Sequence, residues 1–205
     1  MTSDLSPPPA LTEADLVALV GSRLCHDLIS PLGAIGNGVE LLTMSGAPMS
    51  PELQLIAESV ASANARVKFF RIAFGQSSTD QRLGRPELVT LMRALSQGGR
   101  TTYDWQVEGD QPRRAVKLAF LAILCLEPAM PRGGTISVRN DDGQWQVSGT
   151  AERTKPDPAL WANLDGEASK ISPAQVQFAL LPREAAAQGR ALHWEMSDSG
   201  VAITF

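Results

Sequence analysis

Cysteine is scarce in this chain: Cys25 and Cys125 are the two among 205 residues, which argues for a reducing compartment and against a disulfide framework. A surplus of positive charge is also missing. The formal net charge is −4 and the pI about 5.2, a balance that speaks against general nucleic-acid binding. Long apolar runs are absent too, since the longest, Leu118 to Leu126, falls far short of the roughly 20 residues a bilayer requires. The opening MTSDLSPPPA lacks a cationic start followed by an apolar stretch, so residues 1–11 read as a disordered leader and not as a signal peptide. No internal repeat is visible. These gaps leave a cytoplasmic globular protein, without membrane or nucleic acid as partner, whose 43% hydrophobic content is ordinary for building a core.

What the chain does carry begins with two helix-start signals. Thr12 followed three residues later by Asp15 has the form of a capping box, which predicts a first helix from about Thr12 to about Met44. Ser45, Gly46, Ala47 and Pro48 then make a turn, and Ser50 with Pro51 supplies a capping hydroxyl and a proline at the first helical position. Beyond them Leu53, Ile56, Val60, Ala63, Val67, Phe70 and Phe74 recur at steps of three and four, as in a helix packed in a bundle, and Gly75 is placed to end it. Two long helices with a short turn make an antiparallel hairpin over residues 12–75. A lone hairpin cannot cover both apolar faces, so a homodimer forming a four-helix bundle is expected.

Residues 76–86, QSSTDQRLGRP, are polar and turn-rich and read as a linker. Residues 87–205 follow a mixed pattern: Glu87 to Ser96 looks helical, Thr101 to Val107 strand-like, and Pro112 opens a helix to about Glu127 with a nearly continuous apolar second half. Thr135 to Arg139 and Gln144 to Ser148 flank Asn140, Asp141, Asp142 and Gly143, a hairpin signal. Ser172 with Pro173 starts a helix to about Gln188, and Ala191 to Met196 and Val201 to Phe205 flank a second hairpin turn. The fold class is therefore α+β, with helices covering one face of a small, mainly antiparallel sheet.

One of the two histidines sits inside the first helix, in GSRLCHDLISPLGAIGNGVELL. Assigning about 100° of rotation per residue gathers Val17, Val20, Leu24, Leu28, Leu32, Ile35, Val39 and Leu42 into one apolar arc, read as the core-facing stripe. His26 falls roughly opposite, with its ring turned to solvent beside Ser22, Ile29, Ser30, Gly33 and Asn37. Those neighbours are mostly small, so another protein's backbone can come close. Pro31, Gly33, Gly36 and Gly38 together cost roughly 6 kcal/mol of helix propensity, which packing has to outweigh, and Pro31 predicts a kink about one turn before it. Cys25 and His26 are adjacent and hence splayed about 100° apart, which suits neither a zinc chelate nor a thiolate dyad. No metal site is expected. His193, in the strand-like ALHWEM, reads as structural.

The residues His26, Asp27, Leu28, Ser30, Pro31 and Leu32 resemble the histidine box of the dimerisation and histidine-phosphotransfer domain of bacterial sensor kinases. The longer CHDLISPLGAIGNGVELL, with the sequence after it, is more similar to the ChpT-type histidine phosphotransferases, a resemblance that covers nearly the whole chain. It implies a helical hairpin, a linker, and a smaller α/β sandwich domain built like a degenerate kinase ATP-binding domain. A working kinase of this kind carries an asparagine in the long helix to help hold Mg²⁺ and ATP, and an Asp-x-Gly-x-Gly loop for adenine. Here no asparagine lies between Lys117 and Val138, Cys125 stands about where one is expected, and Asp198, Ser199 and Gly200 sit in a tight hairpin turn. ATP binding is therefore not expected, nor any other cofactor on this chain.

The resemblance implies that His26 takes a phosphoryl group from an aspartyl phosphate on the receiver domain of a hybrid kinase and passes it to a response-regulator receiver. Each receiver is expected to bring its own Mg²⁺ and lysine. Imidazole as a class titrates near pH 6.5, so at cytoplasmic pH a free ring nitrogen is available to attack phosphorus. Asp27 either orients that ring or accepts its proton, or is a solvated charge; Arg23 either steadies phosphate or pairs with Asp27 at i,i+4. Ser22, Ile29, Ser30, Gly33 and Asn37 form the expected receiver-docking face, with Ser30 and Asn37 otherwise plain polar surface. Two alternatives stand beside this one: a sensor-type kinase with an unconventional ATP site, and a non-catalytic docking module for response regulators.

Overall fold

The computed structural model describes residues 12–46, 48–78, 80–167 and 170–205; the leader expected at 1–11 and Ala47 of the first turn lie outside them. Helix α1 spans Glu13–Met44 and starts where the capping box predicts: the Asp15 amide donates to Thr12 Oγ1 at 3.1 Å, and the Thr12 amide donates to the Asp15 carboxylate at 3.0 Å. The helix continues through Pro31 without interruption. Helix α2, Pro51–Ala73, is capped by Ser50, whose Oγ accepts from the Leu53 amide at 3.3 Å. The two helices pack as the expected hairpin.

They do not pack through the expected stripe. Among the described side chains of α1, Ala18 and Cys25 are buried and Leu32 and Val39 half-buried, whereas Val17, Val20, Leu24, Leu28, Ile35 and Leu42 are 49–59% exposed. Small residues decide the difference. A Cβ at Gly36 would meet Val60 Cγ1 at 3.5 Å and one at Gly21 would lie 3.0 Å from the Phe74 carbonyl oxygen, so α2 seats on the side of α1 where the backbones can close up. The larger aliphatic side chains are left bare. Helix α2 differs from its expected stripe as well: Val60 is buried on it, but Ile56 is 46% exposed. Its deepest residues, Ala65, Phe69, Ile72 and Ala73, form a second face that enters the core of the C-terminal part.

There, α3 (Arg85–Ser96), β2 (Thr101–Trp105), α4 (Arg113–Leu126), β4 (Gly134–Asp141), β5 (Gln144–Thr150), α6 (Gln177–Ala187), β6 (His193–Met196) and β7 (Gly200–Thr204) follow the mixed pattern of the sequence. The five-stranded sheet has the order β2-β4-β5-β7-β6, with β2 and β4 parallel and every other pair antiparallel. Asp142 and Gly143 both take positive φ, 50° and 92°, which closes the β4–β5 hairpin in the sense that strand twist favours. Helix α4 is the central post: twelve of its 14 residues are buried, and Phe120 stacks on Phe69 of α2 with ring centroids 4.4 Å apart.

Three short elements go beyond the sequence reading. β1 (Arg82–Leu83) pairs antiparallel with β3 (Gln111–Pro112), and α5 is the single turn Pro158–Trp161. β1 and the first two residues of α3 fall inside the stretch read as a linker, and Leu83 there is buried. At the sheet's border, β6 exposes His193 and Glu195 and half-buries Trp194, whose Nε1 donates to the Asp165 carboxylate at 3.1 Å. His193 is thus an exposed edge residue, and strand alternation sends the neighbouring Trp194 inward.

Candidate functional site

Because α2 covers the side of α1 that holds Ala18 and Cys25, His26 lies about a quarter turn away from the contact and is free of it. Its side chain is 81% exposed. Nδ1 lies 3.2 Å from Asp27 Oδ1, while Arg23 Nε donates to Asp27 Oδ2 at 2.7 Å. Asp27 therefore bridges the ring and the guanidinium. The hydrogen bond from His26, joined by Arg23, holds the Asp27 carboxyl below the ordinary carboxylate range. An ionised carboxylate can only accept, so in the neutral imidazole the proton sits on Nδ1 and the Nε2 lone pair points to solvent.

The eight residues singled out in the sequence divide into three groups. Arg23, His26 and Asp27 form the connected row just described. Ser30 and Asn37 are exposed, and nothing lies within 4 Å of where a Cβ on Gly33 would point, so these three leave open ground beside the ring. Ser22 and Ile29 are half-buried. Ser22 is engaged from within the chain, its Oγ accepting from the Gln76 amide at 3.0 Å, so it is not a free member of a docking face. Arg23 pairs with Asp27 through its Nε.

Two clusters at the junction with the C-terminal part escaped the sequence. Arg66 of α2 makes paired hydrogen bonds to Glu127, 2.9 and 2.8 Å, and Tyr103 Oη donates to the same carboxylate at 2.7 Å. Burial first, then the Glu127 charge, push the Tyr103 phenol well up. Arg113, 6% exposed, donates to the carbonyls of Arg71 and Gln76 at the end of α2. Partners 61 and 24 residues from Glu127 leave no local spacing to read. Cys125 is fully buried with its thiol pushed up by desolvation. Among the described residues no group of three or more His, Cys, Asp or Glu is placed to hold a metal, and no helix is long and apolar enough to cross a membrane.

Residues 85–200 match the histidine phosphotransferase C-terminal domain. The protein phosphotransferase ChpT of Brucella abortus (strain 2308) is 38% identical over 139 residues, 66% of this chain, and the chain spans about 65% of that relative's length. A solved structure described as a bacterial phosphotransferase is similar with a TM-score of 0.67 at 26% identity, covering 97% of this chain and 99% of that one. Since the matched domain takes up more than half of its length, the chain belongs to the histidine phosphotransferase family.

Proposed function

We propose that this chain is the histidine phosphotransferase of a two-component phosphorelay, with His26 as the residue that carries the phosphoryl group. The observation that carries the reading is the exposed ring with Nδ1 turned to Asp27, which leaves Nε2 as an outward nucleophile. In the first transfer the Nε2–P bond forms as the P–O bond to a receiver's aspartate breaks, and the carboxylate departs with the electron pair. The proton stays on Nδ1, and Asp27 offsets the positive charge that develops on the ring. In the second transfer N–P breaks and a new P–O bond forms on the acceptor's aspartate. Mg²⁺ and a lysine held by each receiver would neutralise the phosphoryl oxygens, so this chain supplies an oriented nucleophile and open ground for docking. No ATP-dependent step is assigned to it.

The docking ground is the face around His26 with Ser30, Gly33 and Asn37, and the working form is a homodimer. The bare aliphatic row Val17, Leu24, Leu28, Ile35 and Leu42 supports the dimer, because an apolar stripe of this length on a helical hairpin is covered by a second copy in a four-helix bundle. Its setting would be the cytoplasm, with receivers of hybrid kinases as donors and of response regulators as acceptors. The test is to incubate the chain with a phosphorylated receiver in the absence of ATP and map the modified side chain by mass spectrometry. Label on His26, lost completely in His26→Ala with the melting temperature unchanged, is the expected result. Label that requires ATP and no receiver would replace this reading with a kinase, and receiver binding without label would leave a docking module.

A further inference from the structure

We infer that Ser22, Gln76 and Arg113 form a strut by which the C-terminal part fixes the orientation of the His26 turn, making Ser22 and Arg113 positioning residues for phosphoryl transfer. The inference rests on the reading of His26 as the phosphoacceptor.

The strut starts at the head of α4. The Arg113 guanidinium has main-chain carbonyls as its hydrogen-bond partners: Nη2 donates to the Arg71 oxygen at 2.8 Å and Nε to the Gln76 oxygen at 3.3 Å. Removing a cation from water is costly, and here the cost is offset at the end of a helix, where unsatisfied carbonyls and the backbone dipole favour positive charge. The main-chain amide of Arg113 also donates to the Gln81 oxygen at 2.8 Å, and β1 pairs with β3 just beyond it. Gln76 on one side and residues 81–83 on the other are thus both tied to the head of α4.

From Gln76, one bond crosses to α1. The Gln76 amide donates to Ser22 Oγ at 3.0 Å, and Ser22 is one turn before His26, so its carbonyl is the helical acceptor for the His26 amide. The crossing leaves no slack. A Cβ at Gly75 would stand 2.2 Å from the Arg71 oxygen and 3.1 Å from Ser22 Oγ. A roll of α1 that swings the imidazole pulls directly on the Ser22 bond. In-line transfer to a docked receiver is sensitive to such a roll, since a misplacement of about 1 Å can cost on the order of 100-fold in rate.

The experiment loads the full-length chain on His26 with potassium phosphoramidate, releasing ammonia, and then follows single-turnover transfer to a purified receiver domain with Mg²⁺ across receiver concentrations. For Ser22→Ala we expect unchanged loading, an unchanged half-saturating receiver concentration, a melting temperature near wild type, and a maximal transfer rate about 10-fold lower. Arg113→Met should lower the same rate constant, and the double variant should be no slower than the worse single one, as links in series require. An unchanged maximal rate in Ser22→Ala overturns the strut, as does a loss seen only in half-saturation, which would make Ser22 a docking residue. Additive losses in the double variant overturn it too. Wild-type chain that passes phosphoryl to the receiver keeps the parent reading intact in each of those cases; wild-type chain that never loads at His26 sinks both.

Discussion

Helices α1 and α4 are both rich in aliphatic side chains, yet they end in opposite circumstances. Twelve of the 14 residues of α4 are buried within the chain, while α1, more than twice as long, has Ala18 and Cys25 as its buried described side chains. Composition does not separate them; available partners do. α4 is enclosed by α2, α6 and the sheet, whereas α1 packs on α2 through its smaller residues and leaves its larger ones outside. α4 is a closed post, and α1 is an open helix on whose bare side the proposed transfer and the proposed dimer both rest.

The contrast can be broken first at the closed end. Phe120→Ala removes a fully buried ring that stacks on Phe69 and meets Trp105 edge-on at 6.2 Å, and it should cost about 3–5 kcal/mol in chemical denaturation. A loss below about 1 kcal/mol would mean that α4 is not the post described. At the open end the corresponding change should cost folding little and association much. Leu24→Glu combined with Leu28→Glu is expected to weaken self-association by at least roughly 100-fold in sedimentation velocity, on the basis of about 1.5–3 kcal/mol per leucine returned to water. The same variant should keep the near-ultraviolet signal of the buried Trp145 and Trp161. A sharper comparison comes from the joint itself: Arg66→Met deprives the Glu127 carboxylate of its paired donors while Tyr103 Oη remains, and with Arg66 39% exposed the expected cost is about 1–2 kcal/mol in thermal melting. No measurable change would demote that cluster to surface pairing.

Local chemistry was readable and long-range closure was not. The Thr12–Asp15 box, the Ser50–Pro51 start and the Asn140–Gly143 turn signal their structures within four residues, and each stands where the sequence puts it. His26 is outward as expected, but it was set opposite a stripe that α2 does not cover; its ring is free because Ala18 and Cys25, on a different side, make the contact. What failed was the choice of which side of α1 meets α2: periodicity ranks faces by hydrophobicity, but the contact is decided by how near two backbones can come, which favours Ala18, Gly21 and Gly36 over Leu24 and Leu28. The second face of α2 was missed because a single stripe was sought on a helix that is covered from two sides. Ser22 was assigned to an incoming protein because its donor is a main-chain amide 54 residues away, and main-chain donors have no letter in a sequence.

At the border of the sheet, β6 is four residues long, displays Glu195, and draws Trp194 inward to Asp165. So short and charged a margin offers little template for a foreign strand to zip onto. Growth into ribbons or fibrils is thereby discouraged at that rim.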